Sequence, residues 1–170
     1  MTLLSLILLA IMPALVIVGA LKDLTSMKIP NWISGLLILG FAPAALSVGL
    51  SPMVIAVHFG TALIALLIMM ALFALRWIGG GDAKLFASTC IWLGFSGSGL
   101  FLLWTAIAGG LLSLLILLAR GWLQPHASGA PGWVGQLLEP KGDIPYGVAI
   151  AAGALMAYPA SPLIAAYIAG

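Results

Sequence analysis

The chain has 170 residues, 64% of them hydrophobic, and only ten carry formal charge, six Lys or Arg and four Asp or Glu. Soluble domains are roughly a quarter charged, so a mean hydropathy of +1.26 excludes a water-soluble globule and describes a chain solvated by lipid. Six basic residues scattered among apolar runs form no nucleic-acid patch. Cys90 alone excludes an intrachain disulfide, and no Cys/His spacing suits a metal, so neither metal nor cofactor is expected.

Long uncharged stretches predict an all-α, polytopic membrane protein with about six spans, near residues 3–21, 32–48, 53–77, 83–95, 99–119 and 144–157. At ~20 residues each, six spans use about 120 residues and leave no room for a separate soluble domain, so residues 1–170 read as one membrane-embedded domain. The first apolar run carries its first charge, Lys22, after the run and not before it; this reads as a retained span and not a signal peptide. The fourth and sixth stretches are short for a span. Stretches four and five therefore read either as two spans or as a partly re-entrant hairpin, and both keep the same sidedness. The tail beyond Pro159 and Pro162 reads as too short to cross again.

All ten charges fall in alternate connections: Lys22, Asp23 and Lys28; Arg76, Asp82 and Lys84; Arg120, Glu139, Lys141 and Asp143. The intervening connections, around 49–52 and 96–98, carry none. The positive-inside rule makes the charged side cytoplasmic and puts both termini outside. Trp32, Trp77 and Trp122 fall at inner span ends and Trp92 and Trp104 nearer the outer ends, the pattern of interfacial aromatic belts.

Two acids far apart in sequence therefore share one membrane face. Asp23 lies just past the first span, and Asp82 closes the run Gly79-Gly80-Gly81-Asp82. A carboxylate at a span boundary is costly unless paired, solvated or used, which makes each a functional candidate beside the plain reading of a charge solvated by headgroups. Three consecutive glycines weaken a helix, yet they let another backbone come close to the acid that follows. Two converging carboxylates can divide peptide hydrolysis between them. One, ionised, takes a proton from water; the other, protonated, polarises the carbonyl. Such a pair shares a proton and titrates as a unit, so base and acid are not assigned to individual residues.

Gly79-x-Gly81-Asp82 with Lys84, Asp23 followed by Lys28-Ile29-Pro30-Asn31, and Lys141 with Ile144-Pro145-Tyr146-Gly147-Val148-Ala149-Ile150 together resemble the type IV prepilin peptidases. The resemblance is closest to the minimal kind associated with tight-adherence (Flp) pili, and it extends over the whole chain. It implies a GxGD-type aspartyl endopeptidase of the inner membrane, its termini periplasmic, that removes the short basic leader of prepilins and pseudopilins after a glycine at the cytoplasmic face. Asp23 and Asp82 match the family's two aspartates. Gly79, Gly80, Gly81 and Lys84 become the candidate substrate-binding residues, with Lys84 also able to steady a carboxylate. Larger relatives carry a cytosolic Cys-x-x-Cys region associated with zinc and also N-methylate the trimmed end; a chain with Cys90 alone departs from that pattern, and methylation is not expected of it. Lys22 before Asp23, where presenilin-type relatives have Tyr, separates the chain from that branch.

The other polar residues have plainer readings. Glu139 and Asp143 read as solvated loop acids, His58 as a bond between helices, Cys90 as a small packed group, and His126 as part of a Gly/Pro-rich loop. The stretch 124–138 fits either an inner-leaflet segment or a lid over the site. Gly94-Phe95-Ser96-Gly97-Ser98 falls short of a G-x-S-x-G nucleophile turn, because Ser98 stands in the fifth position. Two other function classes fit paired membrane acids. A small cation or proton transporter would hold them near the midplane, whereas these lie at one edge; an assembly scaffold would not need them.

Overall fold

In the computed structural model, which describes residues 2–123 and 131–170, every regular element is a helix and no strand occurs among the described residues. Helices α1 (Leu3–Leu9) and α2 (Ile11–Ser26) meet at Ala10. Pro13 accounts for the break: it has no amide to donate to Leu9, and its ring crowds the carbonyl four residues back. Thr2 caps α1, its hydroxyl accepting from the Ser5 amide at 3.3 Å. Next come α3 (Asn31–Ser47) and α4 (Pro52–Ala74), the latter capped by Ser51 with Pro52 in its first turn.

The longest element, α5 (Gly80–Leu123), is two helices folded back at Gly94, whose φ of 62° and ψ of −176° are not helical. Phe86 and Phe101 stack with centroids 4.3 Å apart, where a continuous helix would hold them roughly 22 Å apart. Through this hairpin the chain returns to the end it left, as both readings of stretches four and five require. Its inner arm, 80–93, is short because it lies inside the bundle, with Leu85 through Leu93 all buried. A helix covered by protein on every side has no bilayer thickness to match.

Trp92 differs from its expected place in an outer aromatic belt. It is fully buried, and its indole N–H donates to the Leu37 carbonyl of α3 at 2.8 Å. The end of the inner arm packs against α3, which covers the indole. Trp32, Trp77 and Trp122 are exposed at the charged end.

After α6 (Gly132–Leu138), α7 (Tyr146–Ala157) continues through a 3-10 turn at Tyr158–Ala160 into α8 (Pro162–Ala169). The tail expected to be too short to cross thus lengthens the sixth stretch into a segment, Tyr146–Ala169, of spanning length. Its prolines do not stop it, because each stands in the first turn of a new helical piece, where a missing N–H costs nothing. Leu3–Ser26, Pro52–Ala74 and Gly80–Leu123 are also long and apolar enough to cross a bilayer, whereas α3 is shorter. The fold is an all-helical, multi-pass membrane bundle. Gly153 of α7 meets Thr105 of the outer arm so closely that a Cβ would overlap the threonine hydroxyl, the small-residue contact by which helices approach in lipid.

Candidate active site

Asp23 occupies the last turn of α2, which stops at Met27 in a left-handed conformation with its amide on the Asp23 carbonyl at 2.8 Å. An acid there faces the negative end of its own helix. The positive end of another helix offsets this: the amide of Gly147, second residue of α7, donates to Asp23 Oδ2 at 2.7 Å. That amide is one of the helix-start donors with no partner in its own helix. Asp23 is only 7% exposed.

Asp82 lies in the first turn of α5, whose opening bond runs from the Ala83 amide to the Gly79 carbonyl at 3.0 Å. Its carboxylate folds back over Gly79, where a Cβ would stand 2.8 Å from Oδ2. The other two glycines are also hemmed in by the chain's own side chains. A Cβ on Gly80 would come 3.3 Å from the Phe73 ring, and one on Gly81 3.2 Å from Ile29. Each of the three glycines therefore has a packing reason to be there, in addition to any backbone it admits.

The two acids face common space. A cavity of about 520 Å³ is lined by Asp23, Asp82, the three glycines and the 27–31 segment. A second, of about 370 Å³, is lined by Asp23, Asp82, Arg76, Asp143 and Tyr146. The charged connections of the sequence thus meet at one end of the bundle. Asp143 is exposed at the rim of the second cavity, and Glu139 lines neither.

Lys84 turns elsewhere. Its ammonium donates to Asn31 Oδ1 at 3.0 Å, and it lines a separate cavity between α3, α4 and the inner arm. It ties the start of α3 to the first turn of α5 and lines neither of the cavities that the acids share.

Gly147 and Arg120 are the residues sequence reasoning did not single out. A Cβ on Gly147 would lie 2.9 Å from both Cβ and Oδ2 of Asp23 and 3.0 Å from Ile29, so only glycine allows Asp23 this seat. Pro145-Tyr146-Gly147 was visible as a motif, but its partner lies 124 residues away. Arg120, which topology alone explained, is 8% exposed. Its Nε donates to the Leu137 carbonyl at 2.8 Å, and Nη2 to the Gly142 and Asp143 carbonyls at 2.9 and 3.0 Å. The guanidinium thereby fixes the connection leading into α7.

His58 is 1% exposed and lies far along α4 from both acids. Its Nδ1 stands 2.7 Å from the Ile91 carbonyl, which can only accept, so Nδ1 carries the hydrogen and bonds across helices. Ser98 donates to the Gly94 carbonyl at 2.6 Å, and Ser96, which holds the nucleophile position of that turn, is exposed while His58 is buried, so no serine–histidine pair is set up. Cys90 is buried. Of the 124–138 stretch, residues 124–130, His126 among them, lie outside the described residues. Among those described, no group of three or more His, Cys, Asp or Glu side chains stands in metal-holding range.

The sequence pattern of the type IV leader peptidase family matches residues 10–114, more than half of the chain and inclusive of Asp23 and Asp82. No curated protein and no solved structure gives a significant match. The chain belongs to the type IV leader peptidase family.

Proposed function

We propose that this peptidase is an aspartyl prepilin leader peptidase of the inner membrane. It cleaves the short basic leader of type IV prepilins and pseudopilins after a glycine, at the cytoplasmic face. The observation that carries the reading is that Asp23 and Asp82, from opposite ends of different helices, line the same two cavities.

In this reading a water between the carboxylates is the nucleophile. One acid, ionised, takes a proton from the water as it attacks the scissile carbonyl, while the other, protonated, donates to the carbonyl oxygen; the first then passes the proton it took to the leaving amine as the C–N bond breaks, and the second recovers its own from the hydroxyl of the tetrahedral intermediate as the carbonyl re-forms. The proton is shared because like charges so close cannot both ionise cheaply. The Gly147 amide keeps Asp23 aimed, and the bareness of Gly79, Gly80 and Gly81 gives the substrate strand a path beside Asp82. A peptide bond inside a helix is shielded, so a glycine at the cut site helps the substrate unwind there. Lys84 acts here at one remove, holding Asn31 and the 27–31 wall in position. The positive-inside distribution of Lys and Arg supports the cytoplasmic assignment.

The test is co-expression with a prepilin. Asp23→Asn and Asp82→Asn, each present at wild-type level, are expected to accumulate full-length precursor, while the wild-type chain yields a mature N-terminus beginning after the leader's glycine. Mass spectrometry of that N-terminus is expected to find no added methyl group. Complete leader removal by either stable Asn variant overturns the assignment.

A further inference from the structure

Among the described residues, an apolar groove that leads to a carboxylate and one that does not both reach the charged end of the bundle. A cavity of about 340 Å³ opens beside Asp82 and Tyr146 and runs along Ala106 and Gly110 of the outer arm of α5. It shares Met69, Phe86 and Leu102 with a further cavity of about 520 Å³ that extends to Phe95 and Gly99 at the far turn. The two form one trough between α4 and the outer arm, lined where they meet by Phe86, whose ring stacks on the buried Phe101. The other groove, of about 460 Å³, lies between α3, α4 and the inner arm and carries Lys84 at its mouth.

We infer that the substrate's apolar helix docks in the trough between α4 and the outer arm of α5, with its N-terminal end at Asp82. This rests on the leader-peptidase reading. Three observations favour the occupant and the groove. The trough is continuous with Asp82, so a helix lying in it delivers the residue just before it to the acid. Its length suits a membrane helix: the inner arm alone puts Gly94 roughly 18 Å from Asp82, well over half of a ~30 Å hydrocarbon core. Its charge fits as well. Among the described residues Asp82 is the one charged residue lining it, and it stands where a basic leader would begin, whereas a leader leaving the other groove would meet the Lys84 ammonium.

The groove side of the outer arm is also cut back. Positions 99, 102, 106 and 110 fall on one face at 3.6 residues per turn, and at both Gly99 and Gly110 a Cβ would meet nothing within 4 Å. Gly35, which lines the other groove, has the same open space. A side chain added at any of these three positions therefore leaves the backbone without its Cβ meeting the chain's own atoms, which makes the substitutions matched probes of the two grooves.

The experiment compares Gly110→Trp and Gly99→Trp with Gly35→Trp for processing of a full-length prepilin in vesicles. The first two are expected to raise apparent KM at least tenfold with kcat within twofold, and Gly35→Trp to leave both unchanged. In a Cys90→Ala, Asp82→Asn chain, a cysteine at Ala106 or Leu102 is expected to form a disulfide with cysteines placed along the prepilin's apolar helix, and one at Leu63 in the other groove is not. Crosslinks at Leu63 in place of Ala106, or wild-type processing by Gly110→Trp with no crosslink at Ala106 because the trough holds only lipid, overturn the inference while the peptidase reading stands. Failure of the wild-type chain to process any prepilin would instead overturn that reading.

Discussion

The Gly147 amide and the Asp23 carboxylate are joined by a 2.7 Å hydrogen bond across a gap that admits no additional atom. The bond links the end of α2 to the start of α7 and sets Asp23 against a helix N-terminus, where negative charge is favoured. Ile29 closes the same space from the third side, so the seat of Asp23 is defined by the 27–31 segment as much as by α7.

Gly147→Ala places a methyl 2.9 Å from Asp23 and forces one of the two helices to yield. A displacement of about 1 Å at a reacting group costs on the order of 100-fold in rate. Leader removal by Gly147→Ala is therefore expected to fall on that order, while thermal unfolding in detergent shifts by no more than the ~1–3 kcal/mol typical of overpacking. Processing at the wild-type rate would mean that the seat of Asp23 does not govern the reaction.

Much of this arrangement was legible in the chain, and the part that was not has a physical cause. Segregation of all ten charges into alternate connections predicts that Asp23 and Asp82 share a face, and both line the same cavities. The glycine run before Asp82 reads as room for another backbone; in the fold its three positions are faced by the side chains of Asp82, Phe73 and Ile29. Hydropathy could not distinguish an arm buried in protein from one facing lipid, since both are apolar throughout; Trp92 accordingly looked like a belt residue. Pro159 and Pro162 looked like a stop, because a list of residues does not say that each proline opens a new helical turn. The roles of Gly147 and Arg120 depend on contacts with distant segments, which no local pattern encodes.

Leader removal is expected to proceed unchanged in the presence of a metal chelator. The described residues offer no set of three or more ligating side chains in range, and Asp23 already accepts from Gly147. Loss of processing on chelation, recovered by adding zinc, would contradict the two-carboxylate chemistry.

Arg120→Met removes the donors to the Leu137, Gly142 and Asp143 carbonyls. Hydrogen bonds from a charged group are worth about 1.5–3 kcal/mol each when lost singly, but these three act as one clamp. The expected result is a chain that still spans the membrane but is cut by added protease between α6 and α7, with processing reduced. Arg120→Lys is expected to recover only part of the loss, because a single ammonium cannot reproduce the planar fork. Equal protease resistance in Arg120→Met and wild type would show that the clamp does not hold this connection.

Gly94→Ala tests the hairpin without touching the acids. The position has φ of 62° and ψ of −176°, a region essentially reserved for glycine and costing about 1–3 kcal/mol for a residue with a Cβ. The new methyl would also stand 2.8 Å from the His58 ring, which is stacked on Phe41 and bonded to Ile91, so it has little room to withdraw. Strain and crowding together are expected to lower stability by about 2–6 kcal/mol. The fold turns at Gly94 at the far end of the inner arm from Asp82, so the cost should fall on the amount of folded protein and not on its chemistry. Heating in detergent followed by a processing assay on the surviving fraction separates the two: the midpoint falls, and cleavage per folded molecule stays near wild type. A normal midpoint with impaired cleavage would instead mean that the turn and the acids are coupled through the inner arm.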